Sequence, residues 1–284
     1  MIPMEPSLRV RIAQATGGPE LSHDAQQALD RLLRLRTPNG LKAALLAGVL
    51  APGHDRRLEA WFDETVTVRE ADAIRGDMAA LGPAALLPWF ERVLHRLAGH
   101  PLAERKALLV AVRRLITVPG TNRAIDRLLW LAVRRGFGEH AWRPAAPLPA
   151  VDAARLPPER MPEVARFTAQ LARSVPSDDP DSLAGRDWYL SVMFHWQPPS
   201  EVPAWRPPDA DTLVHALAAL ERLSSGERPI LAHCWVREAI AHSSGEWLAP
   251  NAADALRLAC TLLDCPLPPD LARHYIALPE DPSE

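Results

Sequence analysis

Glu91 and His95 stand four residues apart, one helical turn, with His100 close behind. A carboxylate and an imidazole so placed can share a zinc ion, but such a site needs a third protein ligand, and none is indicated nearby. The pair reads as exposed charge on a helix face. Asp211 and His215 repeat the spacing and read the same way. Cys234 follows His233, which invites a thiol–imidazole nucleophile. Neighbouring helical residues point about 100° apart, so the two do not face each other, and Cys234 reads as a small core residue. Cys260 and Cys265, five apart, fit neither a Cys-x-x-Cys redox pair nor a common zinc knuckle. His242, near the C-terminal end of its helix, suits the helix dipole without doing chemistry. Glycine-rich phosphate loops and a Gly-x-Ser-x-Gly elbow are both missing from the sequence. No catalytic, cofactor-binding or metal-ligating residue is therefore expected, and no cofactor.

Composition narrows the classes further. A formal net charge of -3 over 284 residues argues against general nucleic-acid binding, which needs a basic surface. The pairs Arg113–Arg114 and Arg134–Arg135 read as solvated charge. Three cysteines make no disulfide framework and suggest a reducing compartment. The first residues carry no apolar run, and no stretch approaches the roughly 20 apolar residues that span a bilayer. The expectation is a cytoplasmic protein without direct membrane insertion.

Helical periodicity runs through almost the whole chain. Expected helices cover Ala25–Arg36, with Ser22 or Asp24 as cap, Gly40–Val49 and Arg57–Phe62. Thr67 and Glu70 have capping-box spacing and open a helix to Leu81. Pro88 stands at the start of a helix to Ala98, and Pro101 at the start of one to Ile116. Thr121 or Asn122 opens a helix that Gly136 stops. Beyond it come Glu163–Arg173, Leu183–Trp196 capped by Asp181 or Ser182, a helix from Asp209 to Leu223, Glu227–His242 and Asn251–Leu263. The 29 prolines cluster at Pro144–Pro162 and Pro198–Pro208. The expectation is an all-α fold of two helical-bundle halves: 1–143, a Pro-rich linker at 144–161, and 162–284.

The halves echo one another. Each closes on a helix, a glycine-containing turn (Pro119–Gly120, Ser244–Gly245) and a second helix with an early carboxylate, Asp126 or Asp254. A single such pair cannot bury its apolar face alone and must pack on neighbours. Nine tryptophans against two tyrosines are unusual. Trp61, Trp89 and Trp130 read as core. Trp142, Trp196, Trp205 and Trp247 lie in or beside loops, where tryptophan either covers a core edge or anchors an interface. Trp188, Tyr189, Phe194, Trp196 and Trp205 are the expected protein-interaction residues.

The stretch Ala253-Asp254-Ala255-Leu256-Arg257-Leu258-Ala259-Cys260-Thr261-Leu262-Leu263-Asp264-Cys265-Pro266-Leu267-Pro268-Pro269 resembles the C-terminus of bacterial HtpX-like membrane zinc metallopeptidases. There a helical region follows the protease domain and closes on a cysteine, a proline, an apolar residue and two prolines. Ala85-Leu86-Leu87-Pro88-Trp89-Phe90 and the helix Ala103–Ile116 are similar to the middle of that region. Pro6-Ser7-Leu8-Arg9-Val10-Arg11-Ile12 is similar to the segment that follows the protease domain. The region also resembles the TerB (tellurite-resistance) helical family, in which an Asp-Gly turn and a carboxylate early in the next helix can hold a divalent cation. Here those turns read Pro119–Gly120 and Ser244–Gly245. One carboxylate per site is too little charge for a hard cation, so Asp126 and Asp254 read as helix N-terminal charges.

The protease motif, two histidines flanking a glutamate on one helix, is absent, and so are membrane helices. The resemblance implies a free-standing accessory region: a regulatory or adaptor subunit for a protein partner, either a membrane metallopeptidase or the product of a neighbouring gene. The chain itself is a further partner, as a homo-oligomer. The alternative is a TerB-like stress or defence protein that responds to divalent cations.

Overall fold

A computed structural model of the chain describes residues 19–50, 54–120, 123–138, 156–177, 183–243, 245 and 247–279. Among these residues stand thirteen α-helices and one short 3-10 turn, joined by turns and loops, and none of the described residues forms a strand. The fold is all-α.

In the first half, α1 (His23–Leu33) and α2 (Pro38–Gly48) are followed by α3 (Asp55–Thr65), α4 (Ala71–Ala80), α5 (Pro83–Ala98), α6 (Leu102–Ile116) and α7 (Asp126–Phe137). α2 is the hub, touching α3, α4, α5 and α6. Its run of small and aliphatic residues, Ala43 to Leu46, is wholly buried. Side-chain caps fix two of these helices. Ser22 Oγ accepts the Ala25 N–H at 3.2 Å, and Thr37 Oγ1 accepts the Gly40 N–H at 3.2 Å ahead of Pro38.

Tertiary packing moves several expected boundaries. The Thr67–Glu70 capping box does not form: α3 continues to Thr65 because Trp61 and Thr65 are buried, and Thr67 falls in the turn before Ala71. Gly136 does not stop α7. It lies inside the helix, where a Cβ would meet Leu94 Cδ1 at 2.9 Å. Thr121 and Asn122 lie outside the described residues, and α7 begins at Asp126. Pro88 does not start α5 either; Pro83 takes that place and Pro88 lies within the helix. A proline cannot donate to the carbonyl four residues back, so Ala84 O is left open. The Ile276 N–H occupies it at 3.1 Å, which ties the C-terminal segment to α5.

In the second half, Leu156 and Met161 are buried, and the 3-10 turn Pro158–Arg160 leads into α8 (Met161–Leu171). The end of the expected linker is thus packed, while 144–155 and the caps Asp181 and Ser182 lie outside the described residues. Then come α9 (Leu183–Phe194), α10 (Ala210–Leu220), α11 (Glu227–His242), α12 (Pro250–Leu263) and the single turn α13 (Pro269–Ala272). Asp209 Oδ1 caps α10 through the Thr212 N–H at 2.7 Å, as expected. α9 approaches the end of α8 so closely that a Cβ on Gly185 would stand 2.1 Å from Ala172 O; only glycine fits there.

The two halves meet along α7 and α12. Glu91 accepts from Arg257 at 2.6 Å and from Thr261 at 2.7 Å. Arg127 donates to Pro208 O at 2.6 Å, and Gln170 donates to Ala124 O at 3.1 Å. One hydrophobic core runs through both halves.

Candidate functional site

The expected interaction residues divide by burial. Trp188 and Tyr189 are core residues, which corrects their reading as surface anchors. Their helix lies across α8 and α11, so the Trp188 Nε1–H donates to Trp235 O at 3.3 Å and the Tyr189 hydroxyl to Pro203 O at 2.8 Å. Burial pushes the Tyr189 hydroxyl up to about 12. Phe194, by contrast, is 48% exposed, and Trp196 and Trp205 are half-buried.

The division follows from the two faces of α9. Gly185, Trp188, Tyr189, Val192 and Met193 point inward. Leu183, Arg186, Leu190 and Phe194, at intervals of three and four, form the other face, and Leu183 is 72% exposed. A helix apolar on both sides is normally buried on both sides. Here the outer face borders a groove of about 320 Å³, closed opposite by Pro199, Val202, Pro203 and Trp205. The proline-rich segment forms the groove's second wall. It is anchored by Tyr189 on Pro203 O and by Arg127 on Pro208 O. The Trp205 indole N–H is buried in this wall with no acceptor among the described residues.

Residues with chemical potential are occupied in structural roles. The Glu91 carboxylate joins the two halves and does not face His95 as a zinc pair, and His100 Nδ1 lies 2.9 Å from Glu104. His215 Nδ1 contacts the Asp211 carbonyl at 2.8 Å, and His233 Nδ1 contacts the Pro229 carbonyl at 3.0 Å. Burial pushes the Cys234 thiol up to about 12, so it is protonated near neutrality and a poor nucleophile. Cys260 and Cys265 contact each other; that contact and burial raise Cys260, while the same contact lowers Cys265.

Two groupings escaped sequence reasoning because their members lie far apart in the chain. Ser191 Oγ is 2.8 Å from His242 Nε2, the first two parts of a nucleophile triad, but no carboxylate orients this imidazole among the described residues. His195 Nε2 lies 2.8 Å from Glu238 Oε1, and Arg237 reaches both. Burial works against ionisation of Glu238, but hydrogen bonds from His195 and Arg237 outweigh it and hold the carboxyl below its ordinary value. It is an exposed ion-pair network beside the end of α9.

The two repeat carboxylates differ sharply. Asp126 is enclosed by Arg57 and Arg123, and Arg57 is itself wholly buried. Asp126 is therefore a buried ion-pair centre as well as a helix N-terminal charge. Asp254 instead accepts the Tyr275 hydroxyl at 2.9 Å. Among the described residues no three His, Cys, Asp or Glu side chains gather as metal ligands, and no helix is long and apolar enough to cross a membrane. Compared with protein-family models, curated proteins and solved structures, the chain matches none of them.

Proposed function

We propose that this chain is a non-catalytic helical interaction module, a regulatory or adaptor subunit that docks a protein partner on the outer face of α9. The observation that carries this reading is the second apolar face of that helix. Leu183 and Phe194 are solvent-exposed beside a groove walled by prolines and Trp205. Exposed apolar side chains grouped on one element mark interaction surfaces more often than isolated ones do, and aromatic anchors dominate such interfaces.

The partner we propose is a membrane zinc metallopeptidase. The support is the sequence resemblance of this chain to the helical region that follows the protease domain in such enzymes. The cation-responsive alternative gains nothing from the geometry, since Asp126 is engaged by two guanidiniums and Asp254 by a tyrosine.

Affinity purification from the native host, followed by mass spectrometry, tests the reading. The wild-type chain should bring down one dominant partner, a membrane metallopeptidase. The double variant Leu183→Glu, Phe194→Glu should lose it while keeping its helical circular dichroism. Recovery of the chain alone as a monomer would end the proposal.

A further inference from the structure

Cys260 and Cys265 lie five apart, a spacing that fits no familiar redox or zinc motif. The end of α12 gives that spacing a different meaning. Asp264 takes the left-handed conformation (φ 51°) and turns the chain back on the helix. The Cys265 N–H then donates to Cys260 O at 3.1 Å, and the Asp264 N–H to Thr261 O at 3.2 Å. This is the Schellman pattern, in which the side chain of the sixth residue lands on that of the first. Here both of those residues are cysteines, and their thiols meet. The backbone hydrogen bond between them also keeps their Cα atoms within a disulfide's reach.

Access and charge divide the pair. Cys260 is buried, Cys265 is partly exposed, and both line a cleft of about 330 Å³ beside Arg257, Thr261 and Leu267. The last two carbonyls of α12 are held by cations: Arg135 donates to Leu262 O, and Arg228 to Leu263 O at 3.0 Å. Both offset the negative end of the helix dipole. Two acids nearby are engaged, Glu91 by Arg257 and Glu221 by Arg135 at 3.4 Å. The hydrogen bond from Cys260, and after it the charge of Arg228, hold the Cys265 thiol below its ordinary value against burial and Asp264. The same contact, then burial, raise Cys260. Cys265 is therefore the accessible and more acidic thiol, and Cys260 stands in contact behind it. Reactive and resolving cysteines divide in the same way.

We propose that Cys260 and Cys265 form a peroxide-reactive pair that closes to a reversible internal disulfide. The Cys265 thiolate attacks one oxygen of hydrogen peroxide; the O–O bond breaks, leaving a sulfenic acid and hydroxide. The Cys260 sulfur then attacks the Cys265 sulfur, and the sulfenic hydroxyl departs with the Cys260 proton as water. Together the two thiols lose two electrons and two protons, and the peroxide becomes two waters. The test treats the reduced, folded chain with hydrogen peroxide near neutral pH and alkylates the remaining thiols with N-ethylmaleimide in denaturant. Trypsin then releases both cysteines in one peptide, Leu258–Arg273, for mass spectrometry. That peptide should lose two hydrogens and carry no maleimide, at least tenfold faster than buried Cys234 loses its label. Dithiothreitol should restore both labels. In Cys260→Ser, dimedone should capture a sulfenic acid on Cys265. In Cys265→Ser, a change at a partly exposed position, Cys260 should stay alkylatable over the same time. Retention of both labels in peroxide that oxidises free cysteine would overturn the proposal. So would equal loss at Cys234, a disulfide-linked dimer in place of the internal bond, or first attack at Cys260.

Discussion

Replacing Asp126 by Asn would leave two guanidiniums, one of them wholly buried, around a neutral amide. Breaking a buried ion pair by removing one partner costs about 3–5 kcal/mol, because the surviving charge stays desolvated. The Asp126→Asn variant should lose that much stability in urea denaturation; a loss under about 1 kcal/mol would show the cluster to be hydrated. Titration adds a second expectation. Cys234 is raised from 9.0, and Tyr189 from 10.0, each to about 12, both by burial. At high pH the unfolded chain therefore releases protons that the folded chain keeps, so stability is full below about 9 and falls as pH climbs toward 12. The urea midpoint should drop across that window, and Cys234→Ala should flatten the drop. A flat profile would contradict the enclosure of both groups. The types of these residues are plain in the sequence. That Asp126 meets an arginine 69 positions away is not, since periodicity shows which face a residue occupies but not what arrives opposite.

At the scale of elements, Gly185 sets how closely α9 lies on the end of α8. A Cβ there would overlap the Ala172 carbonyl, so Gly185→Ala forces the helices apart and should cost about 1–3 kcal/mol, as overpacking does. An unchanged thermal midpoint would contradict that contact. Pro88 gives a sign that is easy to check by hydrogen exchange. Pro88→Ala restores a helical N–H aimed at Ala84 O, the group that now accepts from Ile276. The Ile276 amide should then exchange faster even though α5 gains an internal bond. Local chemistry made much of the helix inventory legible: Ser22 and Asp209 cap as their side chains dictate, and Glu227–His242 is bounded as its periodicity indicates. Thr67, Pro88 and Gly136 misled, because burial of Trp61 and Thr65, the presence of Pro83 and contact with Leu94 each overrode a local signal. The outer face of α9 was half legible. Phe194 and Trp205 stand out by type, but inward and outward apolar residues on a helix with two apolar faces look alike until its neighbours are known.

For the whole molecule, continuity of the core across α7 and α12 predicts one cooperative transition. Tryptophan fluorescence and far-ultraviolet circular dichroism should trace the same urea curve, since core tryptophans stand in both halves. Two separated transitions would mean that the halves fold independently. Glu91→Gln, which weakens the link to Arg257 and Thr261, is the change most apt to separate them. The sequence by itself determined the helical class, most helix positions and the lack of recognisable catalytic motifs, because these depend on periods of three to four residues and on short-range spacing. Only the tertiary structure decided that Trp188 and Tyr189 are interior, that Glu91 joins the halves and that Asp126 is enclosed by arginines. Those outcomes depend on which helix faces meet, and contacts between residues tens to well over a hundred positions apart leave no periodic trace in the chain.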